Sequence, residues 1–281
     1  MNNNVVYITL SCYSVDNIRS PYYIKGMNTG LGNMLFQVAS GLYFAYKNDA
    51  ILCVPSLNKY FELENLSKEN TIFRNIITEK DSDYNEHTLI ISNENSMKNI
   101  FEYTFFNKMI LQGYFENINN FNEYRNTLLD YFRPNQHEKE YLYNKYPIIK
   151  NHENLSSIHI RKGPDYDQIF SKETLDIMIN YYREMIDYMI ENKNIKNFFV
   201  VTNDKNYSMN IFNHEKYKNI TLYYSEERDF YDVWLISLIK NNIVSQSTLA
   251  WWGSYLNECE NRFILSHTKM GKIPNPEWLY I

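Results

Sequence analysis

The chain has 281 residues, of which 44% are hydrophobic and 16% aromatic, with 26 Tyr and 16 Phe. That is apolar material for two modest α/β domains, and it excludes both a disordered chain and a small scaffold held by disulfides. A formal net charge of −5 leaves no general basic field, so broad phosphate neutralisation of a nucleic acid is excluded while a local basic site for one anionic ligand stays open.

From the N-terminus, VVYITL (5–10) reads as a first strand, with neither a basic leader nor a small-residue cleavage site before it. A helix is predicted over 33–47, where Met34, Leu35, Val38, Leu42 and Ala45 fall on one face. AILCVP (50–55), TLIIS (88–92) and MILQG (109–113) are strand candidates, and 119–146 carries two helical stretches parted near Arg133-Pro134. Beyond the polar KYPIIKNHENL stretch, four strands are predicted at SSIHIRKG (156–163), NFFVVTND (197–204), ITLYYS (220–225) and NNIVSQ (241–246). Helices at 173–192, 206–214, 229–240 and 247–256 lie between or after them. Strands alternating with amphipathic stretches predict parallel sheets with crossover helices, so the fold class is α/β and the second half is Rossmann-like. The domains divide at 1–150 and 151–281, with the extreme C-terminus free to pack back on the first domain.

Cys12, Cys53 and Cys259 are odd in number and far apart, offering neither a disulfide framework nor zinc-ligand spacing, so a reducing, cytoplasmic setting is expected. No window reaches the roughly 18 apolar residues of a spanning helix, and any membrane contact is expected to be peripheral. The sequons at Asn65, Asn154, Asn206 and Asn219 are what chance supplies in an Asn-rich chain.

Ligands of parallel α/β sheets bind beyond the carboxyl ends of the strands, which singles out three places. In HIRKGPDY (159–166), His159 and Arg161 alternate at a strand end and point to the same side, with Lys162 and Asp165 following. One Arg, one His and one Lys there can neutralise a diphosphate, the guanidinium bridging oxygens in a fork. The competing reading pairs the Arg with a carboxylate across the domain and makes the His a turn cap. In QSTLAWWGSYL (246–256), Ser247 and Thr248 open a helix and are suited to cap it while free N–H groups face an anion; alternatively Ser247 merely caps, with Trp251 and Trp252 in the core. In GMNTGLGNMLFQVASGLYFA (26–45), Gly30 and Gly32 precede a helix carrying Asn33 and Gln37, and glycine permits close backbone approach to a ligand. The third position of a GxGxxG fingerprint is Leu35, so this is not a dinucleotide loop. DSD (81–83) and DYD (165–167) have a form that can hold a divalent cation, but such tripeptides are common in charged loops. No metal site is expected. His spacing fits no zinc motif, and a GxSxG elbow is missing.

Taken in chain order, these segments resemble the α-1,2-fucosyltransferases of glycosyltransferase family 11. GLGNMLFQVASGLYFA resembles the family's GGLGNQ-F-Q-A helix, LQGYFENINNF (111–121) its GYFQS-KYF segment, HIRKGPDY its HxRRGDY, and VSQSTLAWWGSYLN (244–257) its NSTFSWWGAYLN. The resemblance implies a GT-B fold, two Rossmann-like domains facing across a cleft, with transfer of L-fucose from GDP-L-fucose to a hydroxyl of a glycan acceptor. It further implies inversion at the anomeric carbon, no cofactor and no obligatory metal. Arg161 would hold the donor β-phosphate, with Lys162 as a second cation and His159 beside it toward the nucleoside. Asp204, with Asn203, would read the guanine, and Ser247 and Thr248 would donate to the diphosphate. Gly30, Gly32, Asn33 and Gln37 would line the cleft from the first domain, and Asp165 is the first choice for the catalytic base.

Three departures stand out: Lys162 replaces the second Arg, Pro164 is inserted before Asp165, and Gln246 replaces the Asn before Ser-Thr. Lysine keeps the charge but loses the fork, and proline displaces Asp165. Two rivals therefore remain: the same fold with another activated 6-deoxy-L-sugar such as L-rhamnose, and a non-catalytic glycan-binding protein.

Overall fold

The computed structural model describes residues 4–8, 30–78, 88–91, 108–111, 115–150, 153–162, 171–227, 229–270 and 273–281. The chain forms two compact units, Met1–Arg133 and Pro134–Ile281.

The first unit holds a parallel sheet in the order β2-β1-β4-β3, built from β1 (Asn4–Ile8), β2 (Ala50–Cys53), β3 (Thr88–Ile91) and β4 (Lys108–Leu111). Helix α1 (Leu31–Lys47) crosses from β1 to β2, and all of its 17 residues except Asn33, Tyr46 and Lys47 are buried. The sequence pattern predicts one apolar face here; the structure covers the helix nearly all round, as expected of an interior crossover whose buried polar side chains, Gln37 and Ser40, are uncharged. Among the described residues, two shorter α-helices accompany it, α2 (Leu57–Leu63) and α3 (Arg125–Phe132). Phe73 bridges α2 and α3, edge-on to Tyr60 at 6.2 Å and to Phe132 at 6.4 Å.

The second unit opens with α4 (Gln136–Lys145), started by a capping box in which Asn135 and Glu138 satisfy each other's backbone N–H. Sequence places the boundary at 150/151, whereas the compact units part before α4. The reason is a set of contacts beyond local sequence: Tyr146 sits edge-on to Phe199 at 5.1 Å and donates to Glu227 at 3.1 Å, and Lys145 pairs with Glu227 at 2.6 Å. These fasten α4 to the second sheet.

That sheet runs β10-β9-β8-β5-β6-β7, and every described pair is parallel. Its strands are β5 (Leu155–Ile160), β6 (Asn197–Thr202), β7 (Thr221–Tyr224), β8 (Asn241–Val244), β9 (Phe263–Ser266) and β10 (Leu279–Tyr280). Strand order grows outward from β5 in one direction and from β8 in the other, which is the Rossmann arrangement with its switch point between β5 and β8. Helices α5 (Lys172–Lys193), α6 (Lys205–Phe212), α7 (Asp229–Ser237) and α8 (Thr248–Tyr255) accompany the strands. On α5 the buried residues Met178, Tyr182, Met185, Ile186 and Met189 follow helical spacing and pack on Ile158, Ile160, Phe198 and Val200 of β5 and β6. Ser171 caps its start, and Asn194, at φ 52°, ends it in the left-handed conformation. The extreme C-terminus forms β10 at the edge of this sheet beside β9.

Strand β5 is buried at all six positions, two of them serines. Ser156 donates to the Ser157 carbonyl at 3.1 Å, while from β8 Asn242 donates to the Ser157 hydroxyl at 2.7 Å and Asn241 to the Leu155 carbonyl at 2.9 Å. Asn257, just after α8, donates in turn to the Asn242 side-chain oxygen at 2.8 Å. A fully satisfied buried network of this kind fixes a unique pairing, and it holds β5 and β8 together at the point where the chain order reverses. Among the described residues no helix is long and apolar enough to cross a membrane.

Candidate nucleotide-sugar site

At the carboxyl end of β5, His159 is buried and its Nδ1 lies 3.2 Å from the Ser245 hydroxyl at the end of β8. Burial, reinforced by the nearby Arg161 charge, pushes the His159 imidazole down to about 3, so the ring is neutral at physiological pH. Two residues on, Arg161 is exposed, and among the described residues nothing is bonded to its guanidinium. The alternation predicted from sequence therefore gives two different groups. One is a neutral ring that ties β5 to β8, and the other is an exposed cation with no bonded partner among the described residues. The reading that pairs Arg161 with a carboxylate across the domain finds no such partner among the described residues.

Lys162 and Asn203 are clamped together. The Lys162 N–H donates to the Asn203 side-chain oxygen at 3.0 Å, and the Asn203 amide donates back to the Lys162 carbonyl at 2.6 Å. Asn203, expected to help read a base, thus uses its carboxamide to join the ends of β5 and β6. The Lys162 ammonium lies over the Tyr207 ring, 5.8 Å from its centroid, a cation–π contact directed toward α6. Asp204 caps α6, its Oδ1 accepting from the Tyr207 N–H at 2.8 Å. Oδ2 of this half-buried carboxylate has no donor among the described residues.

Ser247 occupies the N-cap position of α8, yet its side chain makes no capping bond. This corrects the expectation that the Ser247 hydroxyl caps the helix, and among the described residues it leaves the first turn of α8, beside the switch point, without a side-chain cap. Unsatisfied N–H groups and the positive end of a helix dipole form a seat for an anion. Thr248, half-buried, opens the helix itself. Ser245, Ser247, Thr248 and Ser266 share a hollow with Trp251 and Trp278. Both tryptophans of α8 are core residues: Trp251 stacks on Tyr255 at 4.8 Å and donates to the Ile273 carbonyl at 3.1 Å, and Trp252 is fully buried. The Trp pair serves to seat the helix whose start faces the ligand end of the sheet. Gly253 shows how closely that helix is seated, because a Cβ there would stand 2.6 Å from Ile236 Cβ on α7.

His159, Arg161, Lys162, Asn203, Asp204, Ser247 and Thr248 are thus gathered at one end of the second sheet. Gly30, Gly32, Asn33 and Gln37 gather separately at the start of α1 in the first unit, where Gly32 and Gln37 are buried and Gly30 is exposed. At Gly30, φ is −59° and an added Cβ would meet no atom of the described residues within 4 Å, so neither backbone strain nor crowding requires glycine there. Asp165, the DYD tripeptide around it and the DSD tripeptide at 81–83 lie outside the described residues. Among the described residues no three His, Cys, Asp or Glu side chains are placed to hold a metal ion. Sequence reasoning missed Ser245 and Ser266; a serine at each of two neighbouring strand ends was visible, but their convergence depends on the β8-β9 pairing.

Residues 27–281 match the family model described as glycosyl transferase family 11. The chain belongs to this family. Over 267 residues it is 27% identical to an α-1,2-colitosyltransferase of Escherichia coli, covering 81% of this chain and 84% of that relative. It is also 28% identical over 170 residues to the O-antigen biosynthesis glycosyltransferase WbnK of Escherichia coli, a match spanning 58% of this chain and 55% of that one. Among solved structures, POFUT1 in complex with GDP aligns at a TM-score of 0.54 and 11% identity, covering 95% of this chain and 98% of the other. The fucosyltransferase NodZ from Bradyrhizobium aligns at 0.55 and 9% identity, covering 90% and 91%. At these identities the likeness is one of fold, and the family member shares the GT-B-like α/β fold of these two fucosyltransferases.

Proposed function

We propose that the chain is an inverting glycosyltransferase that moves L-fucose from GDP-L-fucose to a hydroxyl of a glycan acceptor, probing the donor diphosphate at the β5/β8 switch point. The observation that carries this reading is the adjacency of the exposed Arg161 guanidinium and the uncapped start of α8, on two strands tied by His159 and Ser245. The family match and the GDP and GDP-fucose bound to POFUT1 support the donor class.

In this mechanism the acceptor oxygen attacks the anomeric carbon from the face opposite GDP. The bond from that carbon to the diphosphate oxygen breaks, and its electron pair stays on the β-phosphate. Charge therefore grows on the diphosphate in the transition state, where Arg161 meets it with a bidentate fork and the start of α8, with Ser247 and Thr248, meets it with dipoles and hydroxyls. The neutral His159 adds no charge of its own and holds the strand end in place. Asp204 offers Oδ2 to the N–H donors of guanine, and Asp165 takes the acceptor proton. Arg161, Lys162 and the helix start neutralise the diphosphate without a divalent ion, so transfer is expected to continue in EDTA.

The colitosyltransferase relative favours a second reading in which the same site uses another 6-deoxy sugar. A donor panel of GDP-L-fucose, GDP-colitose and an activated L-rhamnose separates the two. The main reading expects turnover with GDP-L-fucose and an inverted anomeric centre in the product by NMR. Turnover confined to another donor, or retention at that centre, contradicts it.

A further inference from the structure

The first unit carries a second concavity, distinct from the residues proposed to handle the donor. It is a pocket of about 280 Å³ where α1 ends and β2 begins, lined by Tyr46, Asp49, Asn75, Tyr124 and Tyr131 among others. That volume is close to the lower bound of about 300 Å³ for ligand pockets, room for a sugar ring or two rather than for a nucleotide sugar. It lies at the amino end of β2, the end of a parallel sheet opposite to the one where α/β substrates bind. The 17 residues of α1 span about 25 Å, which separates this pocket from Gly30, Gly32, Asn33 and Gln37 at the other end of the same helix.

Its lining has the chemistry of carbohydrate recognition. A sugar ring has an apolar C–H face and a rim of paired hydroxyls, so it is held by an aromatic face and by planar polar groups that accept and donate together. Tyr46 is 60% exposed, and its ring is braced by Tyr124 at 4.6 Å and an interplanar angle of 31°. An aromatic wall held against a second lining ring is ordered before a ligand arrives, which lowers the entropic cost of binding. Beside it, Asp49 and Asn75 are exposed, and neither side chain has a hydrogen-bond partner among the described residues. Asp49 is held in the left-handed conformation at φ 48° by the turn that closes α1, where its N–H donates to the Tyr46 carbonyl at 3.3 Å. That turn fixes carboxylate and aromatic wall on neighbouring residues.

We infer that this pocket binds a hexose unit of a glycan chain, stacked on Tyr46 and hydrogen-bonded to Asp49 and Asn75, as a holding site apart from the site of transfer. The inference rests on the proposed use of a glycan acceptor: a long acceptor held at a second point stays near the enzyme between transfers, a gain in effective concentration rather than in chemistry.

The test is saturation-transfer difference NMR on the full chain saturated with GDP, using the methyl glycosides of galactose, glucose, N-acetylglucosamine and fucose as probes. The wild-type protein is expected to give ring-proton signals with at least one probe. Tyr46→Ala and Asp49→Asn are expected to weaken that binding by about tenfold or more, with melting temperatures and the GDP-induced shift in melting unchanged. Both substitutions are at exposed positions, and the melting scan verifies folding. No signal from any probe, or full signal in both folded variants, overturns the proposal. A failure of the nucleotide reading shows separately, as a missing GDP shift with the Tyr46-dependent glycoside signal still present.

Discussion

The two strand ends at the switch point face the same space with opposite means. The end of β5 presents permanent charge, with Arg161 exposed and Lys162 following it; the end of β8 presents only neutral groups, the Ser245 and Ser247 hydroxyls and the uncapped first turn of α8. Burial decides the division. His159 and Ser247 are buried, where an ionised side chain is expensive, and the His159 ring is held neutral there. Arg161 is exposed, where that penalty does not apply. A diphosphate between the two ends would meet a cation on one side and oriented dipoles on the other, so each side can be disabled without removing the other.

The largest effect is expected from breaking the charged side. Arg161→Ala should lower kcat by about a hundredfold to a thousandfold, the range for losing one group that stabilises transition-state charge. Arg161→Lys should recover little, because lysine lacks the fork; substantial recovery in a transfer assay would shift the phosphate contact to Lys162. Next is Asp165→Asn, expected to slow transfer by about a hundredfold with GDP affinity unchanged if this carboxylate is the base. Near-normal transfer would send the search to acidic residues of the first unit such as Glu116.

The neutral side is broken through the helix that supplies it. In Gly253→Ala the new Cβ meets Ile236 Cβ at 2.6 Å and the Val233 carbonyl at 3.1 Å, so α8 must shift on α7. A loss of about 1–3 kcal/mol in denaturant unfolding is expected, together with weaker GDP binding because Ser247 and Thr248 move with the helix. Unchanged stability would show that the α7-α8 contact is looser than the distances indicate.

The effect that is smallest at neutral pH, and grows only on acidification, sharpens the contrast within β5 itself. His159 has its folded pKa lowered to about 3, against about 6.5 in the unfolded chain. Between those values the unfolded state binds more protons, so the His159 contribution is fully present above about pH 6.5 and is lost as pH falls toward about 3, at up to about 1.4 kcal/mol per pH unit. His159→Gln should flatten this part of the stability curve, measured by denaturant unfolding across that window. An unaltered slope would mean that the ring is accessible to protons in the folded state.

The alternation of strands and helices was legible because both are periodic and local. The predicted helix at 173–192 became α5 (Lys172–Lys193), and the strand at 197–204 became β6 (Asn197–Thr202). Strand β10, with two residues, was missed because so short a strand carries no periodic signal and exists through its pairing partner; β9, as long as the predicted β7 and β8, was passed over in the reading of the sequence. The same distinction holds in the site. Arg161 and Ser247 could be chosen by type and position at strand ends. The Asn203 clamp on Lys162 and the Ser245 partner of His159 join residues 41 and 86 positions apart, and no local pattern announces them. The domain boundary moved for that reason as well, since Tyr146 and Lys145 reach Glu227 across the fold of the second unit.

The central claim is that the β5/β8 switch point seats a guanosine diphosphate. Its most direct test is thermal unfolding of wild-type and Arg161→Ala protein titrated with GDP and with UDP. The account predicts that GDP stabilises the wild type by about 2.7 kcal/mol at a hundredfold excess over Kd, that UDP does so far less, and that Arg161→Ala loses most of the GDP response. Equal shifts with GDP and UDP would contradict the guanine assignment, and a full GDP shift in Arg161→Ala would contradict the placement of the diphosphate.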